Sequence, residues 1–178
     1  GGSNIAIGAE ALELLTIGNH KVAVGRYALE NNVDGDFCVA IGNLALQDMA
    51  GQGDGNGANT AIGYNACLNL STGVNNTALG ASAMGLGITT GNFNVAIGET
   101  AGYDLTSGVN NTLLGAYAGQ NVTTANKLVF IGANAGDAVT VTNTDNVSDG
   151  TVGVGFEALK LLTSGAGNTA IGYSALAA

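Results

Sequence analysis

The chain has 178 residues, of which 46% are hydrophobic but only 5% aromatic and 10% charged. This content excludes a disordered chain, while the shortage of bulky side chains disfavours a thick globular core. A net charge of −9 with four basic residues argues against nucleic acid and anionic membranes as partners. No apolar run approaches the length of a membrane span, so we expect no membrane insertion.

A short phrase recurs ten times along the chain: a branched aliphatic residue, then glycine, then an alanine three residues after the glycine. Most of these glycines are 17 residues apart, at Gly8, Gly25, Gly42, Gly63, Gly80, Gly98, Gly115, Gly132, Gly155 and Gly172. We call each repeat a rung and count positions from its glycine, so the alanine is at +3. A period this short predicts a solenoid, because one rung buries its apolar side only when neighbours stack on it.

In chain order, each rung begins with a predicted strand just before its glycine, as in the Asn-Thr-Ala-Ile-Gly phrases at 59–63 and 168–172. A second, less regular strand is predicted at 14–18, 70–73, 105–108 and 161–165. The stretch between them is too short for a stable helix. The absence of proline and the 30 glycines suit stacked strands joined by tight corners. We therefore predict an all-β fold, a parallel β-solenoid of about ten 17-residue rungs in one domain over 1–178.

The repeat also predicts which positions face the core. The alanine at +3 never varies, which indicates a tightly packed interior position, and the aliphatic residue at −1 is predicted to form a core ladder. Position −2 is usually alanine but also accepts larger side chains, so we interpret it as part of a surface or an interface. Leu113 and Phe130 at −2 are then interface candidates, or they mark a local widening of the core. Asparagines recur at −4, where they either stack as a hydrogen-bonded ladder or merely tolerate a left-handed turn; they are Asn4, Asn59, Asn76, Asn94, Asn111 and Asn168.

Little in the sequence suggests chemistry, so we expect no enzyme and no cofactor. His20 is the only histidine and has no neighbouring ligand residues, which favours a solvated imidazole over zinc or a catalytic base. The glutamates after the repeat glycine are interpreted as a solvated acidic face, at Glu10, Glu13, Glu30, Glu99 and Glu157. Cys38 and Cys67 lie at different positions of their rungs and are interpreted as buried thiols rather than a disulfide.

Two insertions interrupt the period, at 51–58 and 143–150, and both are rich in Asp and Asn. Asp54, Asp145 and Asp149 are the candidate calcium ligands, although neither loop has a known calcium-site spacing. In solenoids such loops often lie on the binding face, which makes both insertions candidates for a binding role. The alternative, which we favour, is that they are tolerated surface loops.

The Asn-Thr-Ala-Ile-Gly and Asn-Val-Ala-Ile-Gly rungs resemble the head repeats of YadA-type trimeric autotransporter adhesins. They are also similar to the repeats of tailed-phage fibres and bacterial surface fibres. The resemblance implies a left-handed parallel β-roll, a homotrimer, and a place on a virion or cell surface or outside the cell. The rung here is a few residues longer than the adhesin rung.

Three functions follow as expectations. The first is a non-enzymatic structural or adhesive fibre element, a rigid trimeric rod that contacts a host surface receptor, a glycan or a matrix. The second is a self-assembling extracellular filament, because neither end of the repeat array carries a cap and open rungs invite end-to-end stacking. The third is an ice-binding solenoid, which would require an unbroken threonine ladder where this chain alternates Thr with Val and Ile at −3.

Overall fold

The computed structural model describes residues 2–49, 57–87, 89–138, 149–163 and 165–177. Within these ranges there is no helix, and ten three-residue strands form a single sheet. In chain order they are β1 (Ile5–Ile7), β2 (Val22–Val24), β3 (Val39–Ile41), β4 (Thr60–Ile62), β5 (Thr77–Leu79), β6 (Val95–Ile97), β7 (Thr112–Leu114), β8 (Val129–Ile131), β9 (Val152–Val154) and β10 (Thr169–Ile171).

The ten strands pair in parallel and in sequence order, each with the next. The register places equal repeat positions opposite one another, as in Ala6 beside Ala23 and Ala78 beside Ala96. A coil of about 17 residues therefore rises by one strand spacing, and the predicted β-solenoid is confirmed.

The repeat glycine is required at the corner that ends each strand. Gly8 has φ 134°, in the region that side chains rarely adopt. A Cβ placed on Gly8 would lie 2.6 Å from the carbonyl oxygen of Gly25 in the next rung. Both the backbone conformation and the stacking distance explain why this position is never anything else.

The predicted second strand of each rung is wrong. Beyond the ten strands, the described residues contain one isolated parallel bridge, between Leu70 and Thr89. After the repeat glycine, residues at +2 and +4 adopt left-handed φ, as Tyr27 (60°) and Leu29 (53°) do. Every second N–H then closes a turn to the carbonyl three residues earlier, and only the remaining N–H groups reach a neighbouring rung. A continuous strand ladder cannot form on such a backbone.

The predicted faces of the strand are reversed. Position −2 is the interior one: Ala23, Ala40, Ala61 and Ala78 have no exposed surface. The aliphatic residues at −1 point outward, and Leu79 is 43% exposed. The prediction that −1 is a core ladder is therefore wrong. The alanines at +3 are buried as predicted, and with the residues at −2, +4 and +7 they fill a narrow lumen.

Leu113 and Phe130 are fully buried inside the lumen, so their interpretation as interface residues is wrong. Most rungs place a large side chain at +4 opposite the alanine at −2, but three successive rungs have glycine there, at Gly102, Gly119 and Gly136. A Cβ on Gly119 would lie 2.8 Å from Leu113 Cδ2 and 3.3 Å from the Phe130 ring, and one on Gly136 would collide with that ring. Beside these glycines the large side chain that fills the lumen comes from position −2 instead of from position +4.

The asparagines at −4 form the hydrogen-bonded ladder that the sequence left as one of two alternatives. Asn94 Oδ1 accepts the N–H of Asn111 at 3.0 Å, and Asn94 Nδ2 donates to the carbonyl of Gly108, in the turn that leads to Asn111, at 2.8 Å. The same pattern links Asn59, Asn76, Asn94 and Asn111, all buried. The left-handed φ belongs to the preceding residue, for example Asn110 at 60°. Asn168 differs, because its amide donates to Gly165 within its own turn.

Candidate functional site: the outer face of the sheet

The most extensive surface feature is the outward side of the ten strands, which we call the outer face. It consists of the side chains at −3 and −1 of every rung. The −1 column is entirely aliphatic, and the −3 column contains only Ile, Val and Thr. The −1 residues are exposed or half-buried over the whole length of the rod: Ile7, Val24, Ile41, Ile62, Leu79, Ile97, Leu114, Ile131, Val154 and Ile171.

Most exposed aromatic side chains lie on the two corners that border this face. Phe37 and Phe93, at −5, are 57% and 56% exposed, and Phe37 stacks on His20 with ring centroids 5.1 Å apart. On the other border, Phe156 and Tyr173 at +1 stack at 5.3 Å. These rings extend the apolar surface at separate points along the two borders, while Arg26 and Glu99 at +1 and Lys127 at −5 make other points charged.

The outer face carries no charge, although the chain as a whole is acidic. None of the thirty strand residues is Asp, Glu, Lys or Arg. Charged groups lie after the repeat glycine or in the turns, where Lys160 and Glu157 form an ion pair at 2.6 Å and Arg26 lies over the Tyr27 ring. The outer face is thus a neutral strip on a negatively charged rod.

The strip is large enough for a binding surface. Ten strands at about 4.8 Å spacing give a length of roughly 45 Å. With a width of about 10 Å, the exposed strip measures on the order of 450 Å², the size of the largest apolar patch on a typical monomer, which is often functional. Its regular spacing fits a partner with the same repeat.

The residues considered for catalysis do not assemble into a centre. His20 is exposed, and its ring stacks on that of Phe37. Carboxylate oxygens of Glu10, Glu13 and Glu30 lie within 4.8 Å of one another. Glu10 and Glu13 are exposed, and Glu30 accepts a hydrogen bond from Gln47. The three glutamates therefore form a local acidic patch. The sequence predicted only an acidic face, and not which of its glutamates lie together.

Both cysteines are buried free thiols, as predicted. Burial raises the pKa of Cys67 to about 12 and also raises that of Cys38. Protonated, enclosed thiols are poor nucleophiles and poor metal ligands. The Cys38 thiol lies 3.6 Å from Met49 Sδ, within the lumen.

Of the three calcium candidates, Asp54 and Asp145 lie outside the described residues, and Asp149 has a structural role. The Asp149 carboxylate accepts the Asn126 N–H at 2.7 Å and the Asn126 side-chain amide at 3.2 Å. The same arrangement recurs at −6 of other rungs, where Asn92 accepts the N–H of Val74 and Asn126 that of Val109. This second ladder was missed by sequence reasoning, although the recurrence of Asn and Asp at −6 is its signal.

In the described part of the chain, no helical segment has the length and apolarity needed to cross a membrane. Comparison with protein-family models, with curated proteins and with solved structures gave no match.

Proposed function

We propose that the protein is a non-enzymatic structural or adhesive fibre element of a virion or cell surface, which associates with copies of itself through the outer face. The observation that carries this proposal is the uncharged aliphatic strip that continues over all ten strands with exposed aromatics at its borders. A discrete trimer is the assembly that the resemblance of the repeats implies. The rod then presents its remaining sides and its insertions to a host receptor or glycan.

A second copy is the partner that suits this strip best. Every rung rises by the same spacing, so two copies match row for row along the full length of the rod. Because the chain carries a net charge of −9, copies repel one another except where a neutral surface lets them approach. Burial of the exposed aliphatic side chains then supplies the driving force.

The test compares two pairs of substitutions in the same rungs. Ile62→Glu with Ile97→Glu places two charges on the outer face, whereas Thr72→Glu with Ser107→Glu places them on exposed positions of the opposite turns. By sedimentation velocity, we expect the parent and the Thr72/Ser107 variant to have three times the chain mass and the Ile62/Ile97 variant to be monomeric. Circular dichroism checks that all three proteins are folded. A parent that stays monomeric at all concentrations would refute the proposal.

The end-to-end filament is the second candidate, in which the parallel register that pairs each strand with the next inside the rod would be repeated between copies. Its signature is a mass that rises with concentration, fibres in electron micrographs, and indifference to the Ile62/Ile97 substitutions. Ice binding is the third candidate, because the Thr, Val and Ile column at −3 faces outward on a regular sheet. Thermal hysteresis of a monomeric parent would favour it over both assemblies.

A further inference from the structure

The lumen contains two polar side chains in an unusual state, in the rung that includes β2. Lys21 occupies position −4, which belongs to the asparagine ladder in other rungs, and is fully buried. Asn32 occupies position +7, where the stacked neighbours are Leu15 and Met49, and is also fully buried. Neither the Lys21 ammonium nitrogen nor either amide atom of Asn32 has a hydrogen-bond partner. A buried, unpartnered lysine beside a buried, unpartnered amide is a combination that folded proteins avoid.

The two side chains lie beside two glycines of successive rungs, Lys21 beside Gly18 and Asn32 beside Gly35. Lys21 Nζ occupies the place where a Cβ of Gly18 would stand, and that place is 3.2 Å from the carbonyl oxygen of Gly35 in the next rung. Asn32 Nδ2 and Cγ lie 2.9 Å and 3.9 Å from the Cβ position of Gly35. Because neither glycine has a side chain, the space beside them is open to the amine and the amide, and it is bordered by the Met49 methyl group, 2.6 Å from the Gly35 Cβ position.

The surroundings favour the neutral amine, which is the nucleophilic form. Burial lowers the pKa of Lys21, and the nearby Cys38, Asp36 and Asp34 oppose this effect without reversing it. The Asp36 carboxylate is already engaged by the backbone N–H of Asn19.

We propose that Lys21 and Asn32 are the partners of an intramolecular amide cross-link that forms when the chain folds. The lone pair of Lys21 Nζ attacks Asn32 Cγ, a C–N bond forms, and the bond between Cγ and Nδ2 breaks. The former Nδ2 leaves as ammonia, taking one proton from Nζ by way of a carboxylate at this corner, Asp34 or Asp36. No oxidant, metal or cofactor is required, and the products are one secondary amide and one ammonia.

The cross-link explains the state of both side chains. It replaces a buried amine and an unpartnered primary amide with one neutral group. It also joins the residue that precedes β2 to the following turn of the same coil. A covalent brace across one coil suits a rod that bears load, but the proposal holds whether or not the rod is a fibre.

Intact-mass spectrometry of the denatured purified protein tests the cross-link directly. We expect a mass below the sequence value by one ammonia, and a branched peptide that joins Lys21 to Asn32 after proteolysis. Lys21→Met and Asn32→Leu should each have their full sequence mass, whereas Lys127→Met, which alters an exposed lysine, should still lack one ammonia.

A parent protein at full sequence mass, with Lys21 and Asn32 in separate linear peptides, would overturn the proposal. So would an ammonia loss that persists in both lumen variants, because it would then come from another asparagine. The measurement on the parent decides the matter even if a lumen variant fails to fold. It is also independent of oligomeric state, so its failure leaves the fibre proposal untouched.

Discussion

The exchange of volume across the lumen predicts a strong thermodynamic coupling between Phe130 and Gly136. In most rungs, alanine at −2 faces a large residue at +4, whereas this rung has phenylalanine facing glycine. Phe130→Ala with Gly136→Leu would restore the common pair. The backbone at Gly136 has φ 61°, and Leu29 and Leu159 adopt nearly the same angle at +4, so leucine is compatible with it.

The single changes should each be costly. Phe130→Ala removes a fully buried ring and should lower the free energy of unfolding by about 3–5 kcal/mol. Gly136→Leu forces a side chain into the space of that ring and should cost about 1–3 kcal/mol or more. In the double variant, Phe130→Ala empties the space that the leucine at 136 needs, and that leucine fills the cavity left by the ring. The remaining loss should be about 1–2 kcal/mol, because the ring also covers Gly153 in the next rung, 3.2 Å from its Cβ position.

Urea unfolding of the parent, both single variants and the double variant gives the coupling energy as a double-mutant cycle. The double variant should be more stable than Phe130→Ala alone. Adding Gly153→Ala should recover part of the remaining loss. If the two changes in the free energy of unfolding are additive, the side chains at 130 and 136 do not share one space in the lumen.

Three further predictions concern the ladder, the alanine wall and a thiol. Asn94→Ala leaves buried backbone groups of two rungs without partners and should lower the free energy of unfolding by roughly 2–4 kcal/mol. The control Asn43→Ala, at an exposed position, should change the free energy of unfolding little. Equal effects of the two substitutions would show that the asparagine ladder does not stabilise the fold. Ala101→Leu overpacks the lumen and should lower the free energy of unfolding by about 1–3 kcal/mol. Ala81→Leu, at an exposed position, is the control and should leave the melting temperature unchanged. If Ala101→Leu also leaves it unchanged, position +3 is not interior. Because burial raises the pKa of Cys67 from 9.0 to about 12, the folded thiol keeps its proton where the unfolded one loses it, and stability should fall as pH rises above 9. The slope should be about 1.4 kcal/mol per pH unit relative to Cys67→Ala, and parallel pH profiles would contradict it.

Much of the architecture was predictable because the repeat is a strong local signal. The ten glycines, the unvarying alanine at +3 and the absence of proline point to stacked coils, and the structure has those coils with equal positions in register. The asparagine column was visible as a pattern. Whether these asparagines form a ladder or only tolerate a turn could be decided only from the positions of acceptors such as the Gly108 carbonyl, which is 14 residues further along the chain.

The orientation of the strand was not predictable from its alternation. In a strand, successive side chains face opposite sides, so Ile62 and Ala61 point in opposite directions. Large apolar side chains are usually buried, which predicts that Ile62 faces the core. Here the lumen is too narrow, because large residues at +4 and +7 already fill it, so alanine faces inward and isoleucine outward. For the same reason Leu113 and Phe130 looked like surface exceptions until the opposing glycines could be placed.

The sequence by itself determined the fold class, the rung length and the corners, because these depend on backbone sterics and on a period that every rung repeats. Only the tertiary structure decided which face of the strand is buried, which large residue each glycine accommodates, and that Lys21 and Asn32 are both buried in the lumen. Those outcomes depend on the volume left inside one coil, which is shared by side chains from different walls of the lumen and from neighbouring rungs.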